Sequence, residues 1–168
     1  MELSNQHRRF LLIDQGAVST LINLVINVVL TWLVNRSSSV IPLWGLKGIF
    51  TDLLASGFML PLVSCFIISP IIARKVRSGK LPPLLPEQCP YFSWFRRPPW
   101  MRGVLLGTGG VIFGAVPIVW ALSLGQAQPF TVNSYIVFKS VWTSLLTLLV
   151  MPIISWWALA NASLRTHV

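Results

Sequence analysis

Residues 49–72 read IFTDLLASGFMLPLVSCFIISPII, a stretch whose one formal charge is that of Asp52. A run of this length exceeds the ~20 residues needed to cross a ~30 Å hydrocarbon core as a helix. Lipid offers nothing to backbone N–H and C=O groups, so a spanning segment must satisfy them internally, as a helix does. Working outward, three more apolar blocks occupy residues 17–34, 104–124 and 135–159. Strands of a membrane barrel would alternate apolar and polar positions over ~10 residues, and none of the four blocks does so. The fold class expected is all-α and integral to a membrane, with four transmembrane helices. Composition agrees: 54% of residues are hydrophobic and 10% charged, against about a quarter charged in soluble domains.

The same stretch reveals a duplication. Leu60-Pro61-Leu62-Val63-Ser64 aligns with Met151-Pro152-Ile153-Ile154-Ser155, Ser56 with Thr147, Gly16 with Gly107 and Arg74 with Arg165. Residues 12–74 form one repeat and residues 103–165 the other. A basic, proline-rich loop, 75–102, joins them within a single membrane domain, 1–168. Each repeat holds an even number of spans, so both enter the membrane from the same side. The expectation is two tandem, parallel helical hairpins rather than an inverted repeat.

Charge sets the expected orientation. Of the thirteen Lys and Arg residues, Arg8, Arg9, Arg74, Lys75, Arg77, Lys80, Arg96, Arg97, Arg102 and Arg165 fall on one side of a four-span topology. Arg36 and Lys47 fall on the other, and Lys139 lies just inside the fourth helix. Basic loops stay cytoplasmic, which puts both termini and the central loop inside. The formal charge of +9 therefore reports orientation and contact with anionic lipid headgroups, not nucleic acid. Arg8 and Arg9 precede an apolar run too long for a signal-peptide core, and Asn23 and Asn27 interrupt it, so a retained anchor is expected. Trp32, Trp44, Trp120 and Trp142 map toward the outer ends of helices, and Trp94, Trp100, Trp156 and Trp157 toward the cytoplasmic boundary, the levels at which indoles settle. Trp142 sits deepest.

The central loop has two parts. Lys80-Leu81-Pro82-Pro83-Leu84-Leu85-Pro86 is too proline-dense for a helix and should be extended. Tyr91-Phe92-Ser93-Trp94-Phe95-Arg96-Arg97 places aromatic bulk beside charge. Trp94, Arg96, Arg97 and Trp100 are the expected lipid-interface anchors, with rings among headgroups and guanidiniums on phosphates. A docking site for a cytoplasmic partner is the other reading of the same loop. The outer loop 35–47 is Ser-rich, and its Ile41-Pro42-Leu43-Trp44 is expected to dip into the interface.

Helix one carries a polar stripe: Gly16, Thr20, Asn23, Asn27 and Thr31 share one face at helical spacing. Amides facing acyl chains are costly, so this face should point into the bundle. The equivalent face of helix three is Gly103, Gly107, Gly110 and Gly114, with two small-xxx-small patterns that permit close backbone approach. Asp52 and Lys139 each lie about one turn inside the outer helix ends, and a pair between them would pin the repeats together; the other reading has Lys139 snorkel to the outer headgroups. Asn23, Asn27, Asp52 and Lys139 form the candidate polar intramembrane site. Pro61, Pro117 and Pro152 should kink their helices.

Catalytic chemistry is hard to assemble from what remains. His7 and His167 are both terminal, which leaves no axial pair for a membrane haem and no Ser-His dyad within the spans. Cys65 and Cys89 lack metal or redox spacing. The chain has only four acids, too few for metal-assisted phosphoryl transfer. No catalytic residue, metal or cofactor is expected.

The unit Arg9-Phe10 … Asn27 … Trp44 … Pro61 … Pro70 … Arg74-Lys75 resembles a domain-of-unknown-function family of small two-helix bacterial membrane proteins. The second half keeps Pro152 and Arg165 but has Gly114 and Ile118 where the asparagines stand. The resemblance implies architecture and a multi-pass place in the bacterial inner membrane, not an activity. The expected function is a non-enzymatic accessory or scaffold subunit, with a second copy or another membrane protein as partner. The alternative is a small transporter or channel whose path runs past the Asn, Asp and Lys side chains between the hairpins.

Overall fold

A computed structural model describes residues 9–37, 40–46, 48–84, 98–124 and 130–166. Trp94, Arg96, Arg97 and Cys89 lie outside the described residues. The fold is all-α apart from one short bridge. Helix α1 spans residues 10–35, a π-helical segment Phe10–Val18 continued by α-helix Ser19–Asn35. Helix α2 is Ile49–Arg77. Helix α3 spans Pro99–Leu124, with α-helical Pro99–Gly109, π-helical Gly110–Ala115 and α-helical Val116–Leu124. Helix α4 is Val132–Thr166. All four are long and apolar enough to cross a membrane.

Local chemistry explains where these helices begin, widen and stop. Pro99 opens α3, where its missing N–H costs nothing and its φ is already helical. The widened turns of Gly110–Ala115 come just before Pro117. A proline ring crowds the carbonyl one turn earlier, and a looser winding relieves that crowding. Helices α2 and α4 run through Pro61, Pro70 and Pro152 without a break. Gly79 ends α2 at a φ of 70°. Around it Ser78 N–H bonds to Arg74 O, and the Lys80 and Leu81 N–H groups bond to Lys75 O, which satisfies the last carbonyls.

The extensive interfaces all join the first half of the chain to the second. α1 lies against α4, and α2 lies against both α3 and α4. Gln15 meets Ser155 and Asn23 meets Thr147, so α1 runs antiparallel to α4. Asp52 meets Lys139, and Ile72 lies in one cluster with Leu159, so α2 runs parallel to α4. β1 (Val40–Ile41) and β2 (Phe130–Thr131) pair antiparallel and tie the loop after α1 to the loop before α4. Ile41 is thereby buried at 3% exposure, whereas Trp44 of the same loop is exposed.

Two clusters make the core. One, at the Asp52 end and middle, contains Ile49, Leu53, Tyr135, Trp142, Leu146 and Ile154. The other, at the opposite end, contains Phe10, Ile72, Trp157, Leu159, Leu81 and Leu84. The described part of the proline-dense loop is non-helical, as expected, and it packs on the bundle. Leu84 N–H donates to Ser163 Oγ at 2.8 Å in a buried contact. Trp142 and Trp157 are buried core residues and Trp156 packs against the core, whereas Trp32, Trp44, Trp100 and Trp120 are exposed. Trp157 lies beneath the Arg102 guanidinium, 5.8 Å from the ring centroid, and is not exposed at the boundary.

Candidate functional site

The four candidate polar residues separate into two linked groups. Asp52 stands in the first turn of α2, and Lys139 is on α4 one helical turn after Tyr135. Lys139 Nζ donates to both carboxylate oxygens, at 2.7 and 2.6 Å. The Tyr135 hydroxyl donates to Asp52 Oδ2, and Ser56 Oγ lies 3.4 Å from Oδ1. Charges at this depth persist only when paired and hydrogen-bonded. Tyr135 is 1% exposed, and the Lys139 side chain 12% against 36% for Asp52. The carboxylate is therefore the open member of the trio. It faces a cavity of about 810 Å³ that is lined also by Thr31, Asn35, Thr51 and Ala55.

Asn23 and Asn27 do not line that cavity. They lie along the α1–α4 seam. Asn23 Nδ2 donates to Thr147 Oγ1 at 2.8 Å and to Thr143 O at 3.2 Å. Asn27 Nδ2 donates back to Asn23 Oδ1 and O, at 2.8 and 2.9 Å. Farther along the seam Ser155 Oγ donates to Gln15 Oε1 at 3.2 Å. In lipid such bonds favour association because an amide left unpartnered there is costly.

The partner of the α1 stripe is a row on α4 that sequence reading missed: Tyr135, Lys139, Thr143 and Thr147, with Ser155 two turns on. Their spacing of four was the available signal. Thr143 Oγ1 donates to Lys139 O at 2.9 Å and Thr147 Oγ1 to Thr143 O at 2.7 Å. One face of α4 thus carries both the ion pair and the amide contacts.

The glycine face of α3 meets α2 instead. A Cβ on Gly103 would lie 2.8 Å from Leu62 Cδ1, on Gly107 2.7 Å from Phe58 O, and on Gly110 2.6 Å from Gly57 O. At Gly107 and Gly110 the obstacle is backbone, so only glycine allows those approaches. At Gly114 a Cβ would reach Leu146 and Trp142 at an ordinary 3.8 Å. Gly103, Gly107 and Gly110 are therefore used for packing within the chain.

α1 is the least buried of the four spans: only 6% of it is buried, against 39% for α4. Leu21, Ile22, Val25, Ile26, Val29 and Leu33 are all exposed. Beside them an open groove of about 460 Å³ runs between α1 and α4, lined by Ala17, Thr20, Leu24, Ser144 and Leu148 among others. The hydroxyls of Thr20 and Ser144 are buried there without a hydrogen-bond partner. No protein-family model, curated protein or solved structure matches this chain.

Proposed function

We propose that this protein is a non-enzymatic, multi-pass subunit of a bacterial inner membrane that works by lateral association, with both termini cytoplasmic and two hairpins following one another in the chain. The observation that carries the reading is the groove beside the single seam that holds α1, the least buried span, to α4. Small residues and two unpartnered hydroxyls beside that seam suit the close approach of another helix, which polar contacts would strengthen. The Asp52, Tyr135 and Lys139 trio and the Asn23–Thr147 contact are satisfied within the chain, which supports structural work over catalysis. Crosslinking and native mass spectrometry in lipid test this. A homo-oligomer or a stoichiometric membrane partner is expected, weakened by Ser144→Leu, which fills the groove. A strict monomer with nothing co-purifying would refute it.

A second reading rests on the cavity beside Asp52. Its volume and its Asp, Tyr and Lys lining suit a small charged or zwitterionic solute. On that reading Ala55→Leu, which occludes the cavity without removing a hydrogen bond, abolishes a flux measured in proteoliposomes. Unchanged flux excludes the cavity as a route.

A further inference from the structure

At the end of the bundle away from Asp52, a cavity of about 320 Å³ lies between α2, α3 and α4. Three guanidinium-bearing residues from two helices line it: Arg74 and Arg77 on the last turns of α2, and Arg102 on the first turn of α3. Arg74 and Arg77 are exposed at the rim. Arg102 is 4% exposed and is steadied over the Trp157 ring, a cation–π arrangement that fixes the guanidinium. None of the residues lining the cavity is acidic. Ser69 and Asn161 add neutral polar groups, and Ser69 Oγ is buried without a hydrogen-bond partner. Pro99, the first residue of α3, also lines the cavity, so the positive end of that helix dipole adds to the field.

The level of the cavity matters. Ile67 and Ile71, beside it on α2, are exposed apolar residues, and Trp100 on α3 is exposed as well. Arg74, Lys75 and Arg77 follow within two turns. The cavity thus sits where lipid-facing apolar surface gives way to charge, at the depth of phospholipid phosphates. Planar guanidiniums bind phosphate oxygens in pairs, and a serine hydroxyl donates to a third.

We propose that this cavity is a phosphate site, filled by the headgroup of one anionic phospholipid held between Arg74, Arg77 and Arg102. Unlike general attraction of a basic loop to a charged surface, it is stoichiometric and built by three helices. It does not depend on lateral association through α1, so either proposal can fail alone.

The test uses the full chain in nanodiscs, with native mass spectrometry and thermal unfolding as readouts. Arg102 is left intact because it belongs to the core. The wild type is expected to retain one phosphatidylglycerol per chain in preference to phosphatidylcholine. In the double variant Arg74→Gln/Arg77→Gln that affinity falls about 30-fold, while stability in pure phosphatidylcholine is unchanged. Arg36→Gln, at the other end, behaves as wild type. Equal retention of the two lipids, or an unaltered affinity in the double variant, overturns the proposal. A third arm adds inorganic phosphate: no displacement at millimolar concentration is expected. If phosphate alone occupies the site and expels the lipid, the lipid assignment is overturned in favour of a soluble phosphate.

Discussion

Gly110→Ala adds one methyl group where α3 lies closest to α2. On the present backbone that carbon would meet Gly57 O at 2.6 Å, whereas ordinary contact begins at 3.4 Å. The obstacle is backbone, which no rotamer change can move aside, so the helices must part by several tenths of an ångström or more. Neighbouring contacts at Gly107 with Phe58 and at Gly103 with Leu62 then loosen together. Overpacking of this kind costs about 1–3 kcal/mol. A value of about 2 kcal/mol lowers the folded-to-unfolded ratio about 30-fold. Gly109→Ala is the matched control: it adds the same methyl with nothing within 4 Å. Any gain in helix propensity, about 0.5–1 kcal/mol, is shared by both variants and cancels. Unfolding in mixed micelles at rising denaturing-detergent fraction, followed by tryptophan fluorescence, measures the difference. Gly107→Ala should resemble Gly110→Ala, and Gly114→Ala should resemble the control. Equal stability of the Gly110→Ala and Gly109→Ala proteins would refute the close α2–α3 contact.

Two other predictions use the same assay. Lys139→Met leaves the Asp52 carboxylate without its cation and should cost about 1–3 kcal/mol, less than a fully buried pair because the carboxylate faces an open cavity and keeps the Tyr135 hydrogen bond; adding Asp52→Asn should cost less than the sum of the two single changes, and strict additivity would mean the pair is not coupled. Asn23→Leu and Thr147→Val each break the amide contact between α1 and α4, and their double-mutant cycle should give a coupling of about 0.6–1.7 kcal/mol; zero coupling would remove the hydrogen bond as a fastener of α1.

Much of the architecture was legible in one dimension. The lengths of the apolar blocks follow from bilayer thickness, and the four helices run close to where those blocks lie. The Asp52–Lys139 pair was legible too, because a charge at that depth needs an opposite charge and only two such residues were near one level. The Asn23 and Asn27 face points into the bundle for the same reason. What could not be read was the partner of each face. The glycine face meets α2 and the asparagine stripe meets α4, in each case a helix from the other half of the chain. The hydroxyl row of α4 escaped notice because Thr143 and Thr147 look unremarkable beside Leu145 and Leu148 until an amide lies opposite them. The arginine cavity was equally hidden: Arg74 and Arg102 are separated by the whole central loop, and only packing of α2 on α3 brings them together.

Four membrane-length helices, and which residues share a face on each, follow from the order of residues alone, because backbone groups must be satisfied within lipid and the helix repeats every 3.6 residues. The tertiary structure decided which faces meet. In a bilayer the surrounding tails are as apolar as leucine, so hydrophobicity does not select a neighbour. That selection falls to close fit and to hydrogen bonds between residues far apart in the chain: Gly110 against Gly57, Asn23 against Thr147, Lys139 against Asp52.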